Sequence, residues 1–144
     1  MSVSVTVVTG PWSQLGAAAS AIRHEVFVDE QRVPLELELD EFDAGALHAL
    51  ACDGERALGT GRLLPDGHIG RMAVRRQSRG SGIGSLLLLA LMQQARQRGD
   101  STVVLHAQLS ARGFYERHGF TAEGAVFMDA GIAHIAMRLS FFPG

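Results

Sequence analysis

The sequence has a single cysteine, Cys52, which has no partner for an internal disulfide. Its amino terminus, MSVSVTVV, lacks the basic segment followed by an apolar run that marks a secretory signal. The longest apolar stretch, residues 83–92, is interrupted by Gly84 and Ser85 and is far shorter than the roughly 20 residues of a spanning helix. We therefore expect a soluble, cytoplasmic protein without a membrane partner.

Charge is also scarce in this chain. Charged residues make up 19% of the sequence and the formal net charge is −2, which implies no basic surface able to neutralise a run of phosphates. Nucleic acid is therefore not an expected partner. Hydrophobic residues make up 47% of the 144 positions, enough for one well-buried core but not for two ordinary domains. We predict a single domain over residues 1–144.

The first half of the chain predicts one helix among antiparallel strands. Valine alternates with serine and threonine over residues 3–7, which indicates a strand ended by Gly10 and Pro11. Apolar residues at helical spacing then predict a helix over residues 13–27. Turn signals of the Asp-Gly and Pro-Asp-Gly type separate three further predicted strands, at residues 46–52, 57–64 and 68–74.

The second half predicts a strand-loop-helix-strand unit followed by two last strands. A glycine-rich loop leads into a leucine-rich helix over residues 85–98, and a β-branched strand follows at residues 102–106. The remaining predicted elements are a short helix at 110–117 and strands at 122–128 and 133–139. Together the patterns predict a mixed α/β (α+β) fold with a mainly antiparallel central sheet flanked by helices.

The glycine-rich loop, Arg79-Gly80-Ser81-Gly82-Ile83-Gly84-Ser85, is the most informative segment. It lies between a predicted strand and a predicted helix, where unpaired amides and the positive end of the helix dipole favour an anion. Its three glycines remove the side chains that would keep a pyrophosphate away from the backbone. Arg79 adds positive charge. The loop therefore predicts a phosphate-binding site.

Three other interpretations of this loop are possible. A nucleoside triphosphate loop needs Gly-Lys-Ser/Thr at its end, whereas Gly84 is followed by Ser85 and Leu86. A dinucleotide-binding loop follows the first strand of repeated β-α-β units, whereas this loop lies in mid-chain behind an antiparallel meander. A plain tight turn does not require three glycines with several arginines nearby. None of the three accounts for the segment as well as a pyrophosphate loop.

The loop resembles the acetyl-CoA signature Arg/Gln-x-x-Gly-x-Gly/Ala of the GNAT superfamily of N-acetyltransferases. Arg71-Met72-Ala73-Val74 resembles the family strand that pairs with the pantetheine arm, and Phe114-Tyr115-Glu116-Arg117-His118-Gly119-Phe120 resembles its second motif. Further likeness to the ElaA-like subgroup is carried by residues 23–31, 106–108 and 131–134. The resemblance therefore extends over nearly the whole chain.

The resemblance implies acetyl-CoA as cosubstrate, a GNAT-like fold and a sheet opened in the middle to admit the pantetheine arm. It implies an oxyanion donor at a backbone amide near Val74, and it implies that the Tyr115 hydroxyl lies near the CoA sulfur as general acid. Gln108 stands where the family often has asparagine. The residues expected to bind the cosubstrate are Met72, Ala73, Val74, Arg79, Gly80, Ser81, Gly82, Ile83, Gly84, Ser85 and Gln108.

Candidate bases come from an acidic run and from histidine. Residues 35–43 alternate apolar and acidic, so Glu36, Glu38 and Asp40 would share one face if the run is extended. Such a face would attract a positively charged acceptor, or it would be a solvated edge that deters aggregation. Glu38 is the first candidate for a catalytic base and His106 the second. Histidines 48, 106 and 134 lie on predicted strands, but without cysteine or a close histidine pair we expect no metal.

These observations predict an N-acetyltransferase that moves an acetyl group from acetyl-CoA to a primary amine by direct transfer in a ternary complex. The acceptor expected is a small-molecule or peptide amine, and we leave a homodimer open. The main alternative is a non-catalytic CoA-binding sensor or interaction protein that keeps the loop. A nucleotide-binding regulator is a third, weaker hypothesis.

Overall fold

Seven strands form one sheet in a computed structural model that describes residues 4–38 and 40–142. The order across the sheet is β1-β2-β3-β4-β5-β7-β6, and every neighbouring pair is antiparallel except β4 with β5. The strands are β1 Thr6–Pro11, β2 Leu47–Asp53, β3 Arg56–Leu63, β4 His68–Val74, β5 Thr102–Gln108, β6 Thr121–Asp129 and β7 Ile132–Ser140. The predicted mixed, mainly antiparallel fold is confirmed.

The first strand extends further than the sequence predicts. Gly10 and Pro11 do not end β1 but pair with His48 and Leu47 of β2. Proline lacks the N–H that a central strand needs, but β1 is an edge strand, where proline is tolerated. Val3, the first valine of the predicted strand, lies outside the described residues.

The predicted helix over residues 13–27 is divided in two. α1 spans Trp12–Arg23, and a π-helical segment continues from His24 to Glu30. The other helices are α2 Leu35–Glu38, α3 Ile83–Gln97 and α4 Arg112–Arg117. Among the described residues, no helix has the length and apolar character needed to cross a bilayer.

The leucine-rich helix α3 covers the sheet and starts two residues earlier than predicted. Leu87, Leu88 and Leu91 are fully buried, whereas Leu86 and Leu89 are 42% and 49% exposed. The leucines on one face of the helix therefore belong to the core, and those on the other face are exposed to solvent. Its buried face packs against β2, β3 and β4 and fixes the glycine-rich loop at the amino end of the helix.

The acidic run is not extended, so the face that Glu36, Glu38 and Asp40 were expected to share does not form. Residues 35–38 make one helical turn, in which the amides of Leu37 and Glu38 donate to the Pro34 carbonyl. The turn exposes Glu36 and buries Glu38 to 5%. Burial of Glu38 is possible because a guanidinium compensates its charge, as described below.

The sheet opens between its two parallel strands. β4 and β5 pair only at His68 with Val104 and at Ile69 with Leu105, and the strands separate beyond that point. The register of β3 with β4 shifts at the same place, so that two residues of β4, Arg71 and Met72, lie opposite one of β3. Such a bulge bends and twists a strand. The opening expected from the family resemblance is therefore present.

Candidate active site

A cavity of about 420 Å³ lies at the opening between β4 and β5. Five residues predicted from the sequence line it: Glu38, Met72, His106, Gln108 and Tyr115. They come from α2, β4, β5 and α4, so the fold brings together side chains that are far apart in the chain. The loop residues 79–85 do not line this cavity, because they lie beyond the carboxyl end of β4.

The glycine-rich loop has the geometry of an anion cradle. Gly80 and Gly82 have φ angles of +82° and +84°, which residues with side chains rarely adopt. A Cβ at either position would meet no other atom within 4 Å, so the space above both glycines is open to a ligand. α3 begins directly after Gly82, and its first three amides, those of residues 83–85, have no partner within the helix. These residues fit a pyrophosphate.

Arg79 is held in place by two contacts. Its Nε donates to the carbonyl of Val74 at 2.9 Å, and its two terminal nitrogens donate to the Glu30 carboxylate at 2.6 and 2.7 Å. The Glu30 carboxylate also lies 3.6 Å from Arg76. The hydrogen bond from Arg79 is the main reason that the pKa of Glu30 lies below its usual value. A pyrophosphate in the cradle would share this positive charge with Glu30.

The hydroxyls of the loop make local contacts. Ser81 Oγ donates to the carbonyl of Ser78 at 2.7 Å, and Ser85 Oγ lies 2.9 Å from His118 Nε2. Gly84 has no positive φ, and a Cβ there would contact the Phe114 ring at 3.5 Å. The two sequence motifs therefore meet, because Ser85 and Gly84 contact residues of the second motif.

The carboxyl end of β4 presents backbone to the opening. Arg75 N–H donates to the Leu58 carbonyl of β3. Because amides alternate in direction along a strand, the N–H of Val74 points away from β3 and towards the side of β4 on which the opening lies. Ala73 instead directs its amide towards β3, and its side chain is buried in a cluster with Ile22. Val74 thus presents the outward N–H that a bound arm would need, whereas its carbonyl accepts from Arg79 Nε.

Tyr115 combines packing with access to the cavity. Its ring contacts Phe114 and Phe120 edge-on, with centroid distances of 5.0 and 6.0 Å, and the residue is 9% exposed. Burial raises the pKa of Tyr115 to about 12. The residue also lines the cavity. At neutral pH the side chain is therefore a protonated donor at the cavity wall.

Gln108 and His106 occupy the end of β5. Gln108 Nε2 donates to Gln31 Oε1 at 2.8 Å, which links β5 to the chain that follows the π-helical segment. His106 is exposed, and its ring meets His68 and Phe127 edge-on at 5.9 and 5.2 Å. Gln108 is therefore already engaged by a neighbour, whereas His106 is accessible.

A family model described as an acetyltransferase (GNAT) domain matches residues 13–141 of this chain. The chain belongs to the GNAT acetyltransferase family. A curated relative, the uncharacterized N-acetyltransferase YjcF of Bacillus subtilis, is 39% identical over 120 residues, which cover 81% of this chain and 86% of that protein.

Solved structures agree with this assignment. The crystal structure of an acyl-CoA N-acyltransferase from Pseudomonas aeruginosa superposes with a TM-score of 0.84 at 31% identity, over 94% of this chain and 99% of that one. Escherichia coli ElaA superposes with a TM-score of 0.84 at 26% identity, over 92% of this chain and 98% of that one. The likeness to the ElaA-like subgroup is confirmed.

Beside the motifs of this GNAT domain lies a group of buried charges that sequence reasoning missed. Arg23, only 1% exposed, donates to Glu38 Oε1 and to Asp43 Oδ1 and Oδ2. Arg62 donates to Asp43 at 2.9 Å and to both oxygens of Asp40 at 2.8 Å. One signal was available, since Arg23 interrupts the apolar stripe of a predicted helix.

These pairs alter the interpretation of the acidic run. Its three inward carboxylates, Glu38, Asp40 and Asp43, are each paired with arginine. Burial opposes ionisation of Asp40, yet Arg62 and Arg71 hold its pKa below the usual value. The run therefore provides no net negative field in this GNAT site, and the argument for a positively charged acceptor loses its basis.

The other two predicted histidines contact backbone carbonyls, and His134 also lines the cavity. His48 is 1% exposed and its Nε2 lies 2.9 Å from the Asp43 carbonyl, while burial lowers its pKa. His134 Nδ1 lies 2.7 Å from the carbonyl of Ile132. Over residues 4–38 and 40–142, no group of three or more His, Cys, Asp and Glu side chains is close enough to hold a metal.

Proposed function

We propose that this chain is an N-acetyltransferase that transfers an acetyl group from acetyl-CoA to a primary amine within a ternary complex. One observation carries the proposal: β4 parts from β5 beside a cavity lined by Tyr115 and Glu38, and the carboxyl end of the same strand leads to the anion cradle. A cosubstrate with a pyrophosphate at one end and a reactive group at the other needs both sites along one strand.

The backbone of β4 supplies the oxyanion donor in this proposal. Bound acetyl-CoA contributes a thioester, whose carbonyl oxygen gains negative charge as the amine adds. A backbone N–H fixed in a strand stabilises such charge without reorganising. Val74 N–H points towards the side of β4 on which the opening lies, so it is the donor that we assign.

Tyr115 acts by hydrogen bonding in this scheme. A free thiol has a pKa near 8.5, so a full proton transfer from a tyrosine with a pKa of about 12 would be uphill by about 5 kcal/mol. A thiolate with that pKa departs without complete protonation. We therefore assign the hydroxyl the role of a donor that stabilises the leaving sulfur.

Removal of this hydroxyl should give a partial defect. Tyr115→Phe keeps the ring and its contacts with Phe114 and Phe120, so we expect kcat to fall by roughly 10²-fold or less while Tm and acetyl-CoA affinity stay near wild type. Single-turnover rates should be measured with kcat, because slow product release would conceal the loss. An unchanged single-turnover rate would remove Tyr115 from the mechanism.

The acceptor must lose a proton before it attacks, and the cavity is lined by both bases that the sequence predicted. Glu38 lines the cavity and uses only Oε1 for the Arg23 side chain, leaving Oε2 without a partner in the described part of the chain. His106 is exposed on the facing strand β5. We propose Glu38 as base and keep His106 as the second candidate.

The base can be assigned by a matched pair of variants. We expect Glu38→Gln to lower kcat by roughly 10²- to 10⁴-fold with unchanged acetyl-CoA affinity, and His106→Gln to lower it by less than about 10-fold. Glu38→Gln retains an oxygen for Arg23, and circular dichroism should confirm that the variant is folded. The reverse order of defects would assign the base to His106.

Acceptor-dependent release of CoA separates the enzyme from the sensor alternative. The assay measures free thiol from acetyl-CoA with a panel of amino acids, small polyamines, aminosugars and peptide amino termini. We expect at least one class to accelerate release. Tight binding of acetyl-CoA with no release for any amine would favour a non-catalytic sensor.

A further inference from the structure

Two arginines line the cavity from adjacent strands, Arg62 on β3 and Arg71 on β4. Arg71 lies at the bulge where β4 leaves β5, with a φ of +48°. Residues with side chains occupy this region at an energetic cost, and they do so mainly at ligand-binding and catalytic sites. The backbone thus holds Arg71 at the cavity in a conformation that local preference does not favour.

Among Arg23, Arg62 and Arg71, the charge of Arg71 is compensated by the fewest carboxylates. Arg23 and Arg62 each contact two carboxylates, whereas Arg71 contacts one, Asp40 Oδ2 at 2.9 Å, within the part of the chain that the structure describes. That same oxygen already accepts from Arg62 Nη2 at 2.8 Å. Arg71 therefore shares a single oxygen, and its other contact is the backbone carbonyl of Leu37 at 3.3 Å.

Both arginines also keep a buried donor without a partner. Nε of Arg62 and Nε of Arg71 are buried and make no hydrogen bond to any described residue. Arg62 is only 6% exposed, so its unpaired donor is costly in the free protein. Burial and the nearby Arg62 charge lower the pKa of Arg71, as expected for a cation with too few anionic neighbours.

A carboxylate is the ligand that matches these donors. The guanidinium group is planar and binds carboxylates through two parallel hydrogen bonds. Glu38, with its second oxygen unpaired among the described residues, lines the same cavity and is the base proposed above for the amine. One cavity thus presents a cation for an acid and a carboxylate for an amine.

We propose that the acceptor is a small primary amine that also carries a carboxylate, and that Arg71 binds this carboxylate. The proposal rests on the acetyltransferase activity inferred above and names its substrate class. Arg71 is a specificity residue in this scheme, whereas Arg62 holds Asp40 in place.

The test compares amino acids with the corresponding amino acid amides, which keep the amine and remove the anion. We expect wild-type kcat/KM to be roughly 100-fold higher for the acid of each pair, since a charge-assisted bidentate contact is lost in the amide. Arg71→Gln should lower kcat/KM for the acids by a similar factor, mainly through KM, and leave the amides unchanged. For Arg71→Lys we expect a kcat/KM for the acids that lies between the values of the wild type and of Arg71→Gln.

The matched control is Arg138→Gln, which removes an exposed arginine of β7 that pairs with Glu123 outside the cavity. It should leave the acid-to-amide ratio unchanged. Two results would overturn the proposal while the acetyltransferase activity stands. One is a wild-type kcat/KM that is nearly equal for acids and amides, and the other is an Arg71→Gln variant whose kcat/KM falls equally for both.

A second measurement does not depend on turnover. Calorimetric titration with an N-acetyl amino acid in the presence of CoA should show binding that its amide lacks and that Arg71→Gln abolishes. If no amine of any charge releases CoA, the proposed function fails, and this titration then decides whether Arg71 binds carboxylates. Equal binding of acid and amide would contradict the proposal.

Discussion

Gly82→Val should abolish acetyl-CoA binding in a protein that remains folded. Gly82 immediately precedes α3 with a φ of +84°, and the space beside its Cα is open to the cradle. A branched side chain there would fill the volume that a pyrophosphate needs to reach the helix amides. Loss of two charge-assisted hydrogen bonds, at about 1.5–3 kcal/mol each, predicts an increase in Kd of at least roughly 100-fold.

The chain offers a matched control for backbone strain. Gly99 follows the carboxyl end of α3 with a φ of +97°, and a Cβ at this position would meet no other atom within 4 Å. Gly99→Val thus imposes comparable strain far from the cradle and should bind acetyl-CoA normally. Gly84→Val directs its side chain at the Phe114 ring, which a Cβ would contact at 3.5 Å, so it should weaken acetyl-CoA binding less than Gly82→Val. Calorimetry on folded Gly82→Val that showed near-native affinity would refute the pyrophosphate site.

Arg23→Met should destabilise the protein by about 3–5 kcal/mol, because it leaves buried carboxylates without their cation. Arg23 is 1% exposed and contacts Glu38 and Asp43, which are each 5% exposed. Natural domains have a total stability of only about 5–15 kcal/mol, so the variant should unfold at much lower urea concentration.

The control for this variant is an exposed pair. Arg138→Met breaks the contact with Glu123, in which both side chains are about half exposed, and should cost less than about 1 kcal/mol. Urea unfolding of both variants measures the difference directly. If Arg23→Met lowered the free energy of unfolding by as little as Arg138→Met, the buried cluster would not stabilise the fold.

The same cluster predicts a pH dependence of stability. Burial favours protonation of Asp43, but hydrogen bonds and charge from Arg23 and Arg62 prevail and keep its pKa below the usual value. Folding is then favoured by the ionised form, so this contribution is present above about pH 4 and is lost as the pH falls through the lower folded pKa. In Arg23→Met the loss of stability on acidification should be smaller.

Local patterns predicted most of the secondary structure. The strand at residues 68–74 is found with the predicted bounds, and the two last strands are each one residue longer at both ends than predicted. Strand alternation and turn residues are local signals, so sequence alone reports them. The position of the glycine-rich loop between a strand and a helix was likewise predicted from local signals, and pyrophosphate binding there is a prediction that Gly82→Val tests.

Long-range partners explain what the sequence did not predict. Glu38 was interpreted as part of an extended acidic face, but its environment depends on Arg23, which lies 15 residues earlier. Arg71 contacts Asp40, 31 residues away, through a bulge that no local pattern signals. Buried charge pairs of this kind are visible only once the strands are assembled.

The fate of a labelled acetyl group tests the proposed reaction most directly. In a single turnover with acetyl-labelled acetyl-CoA and an amino acid acceptor, the label should appear on the acceptor nitrogen in amounts equal to the CoA thiol released. No label should remain on the protein when the acceptor is omitted. Label that accumulated on the protein without acceptor, or CoA release without acetylated amine, would contradict direct transfer.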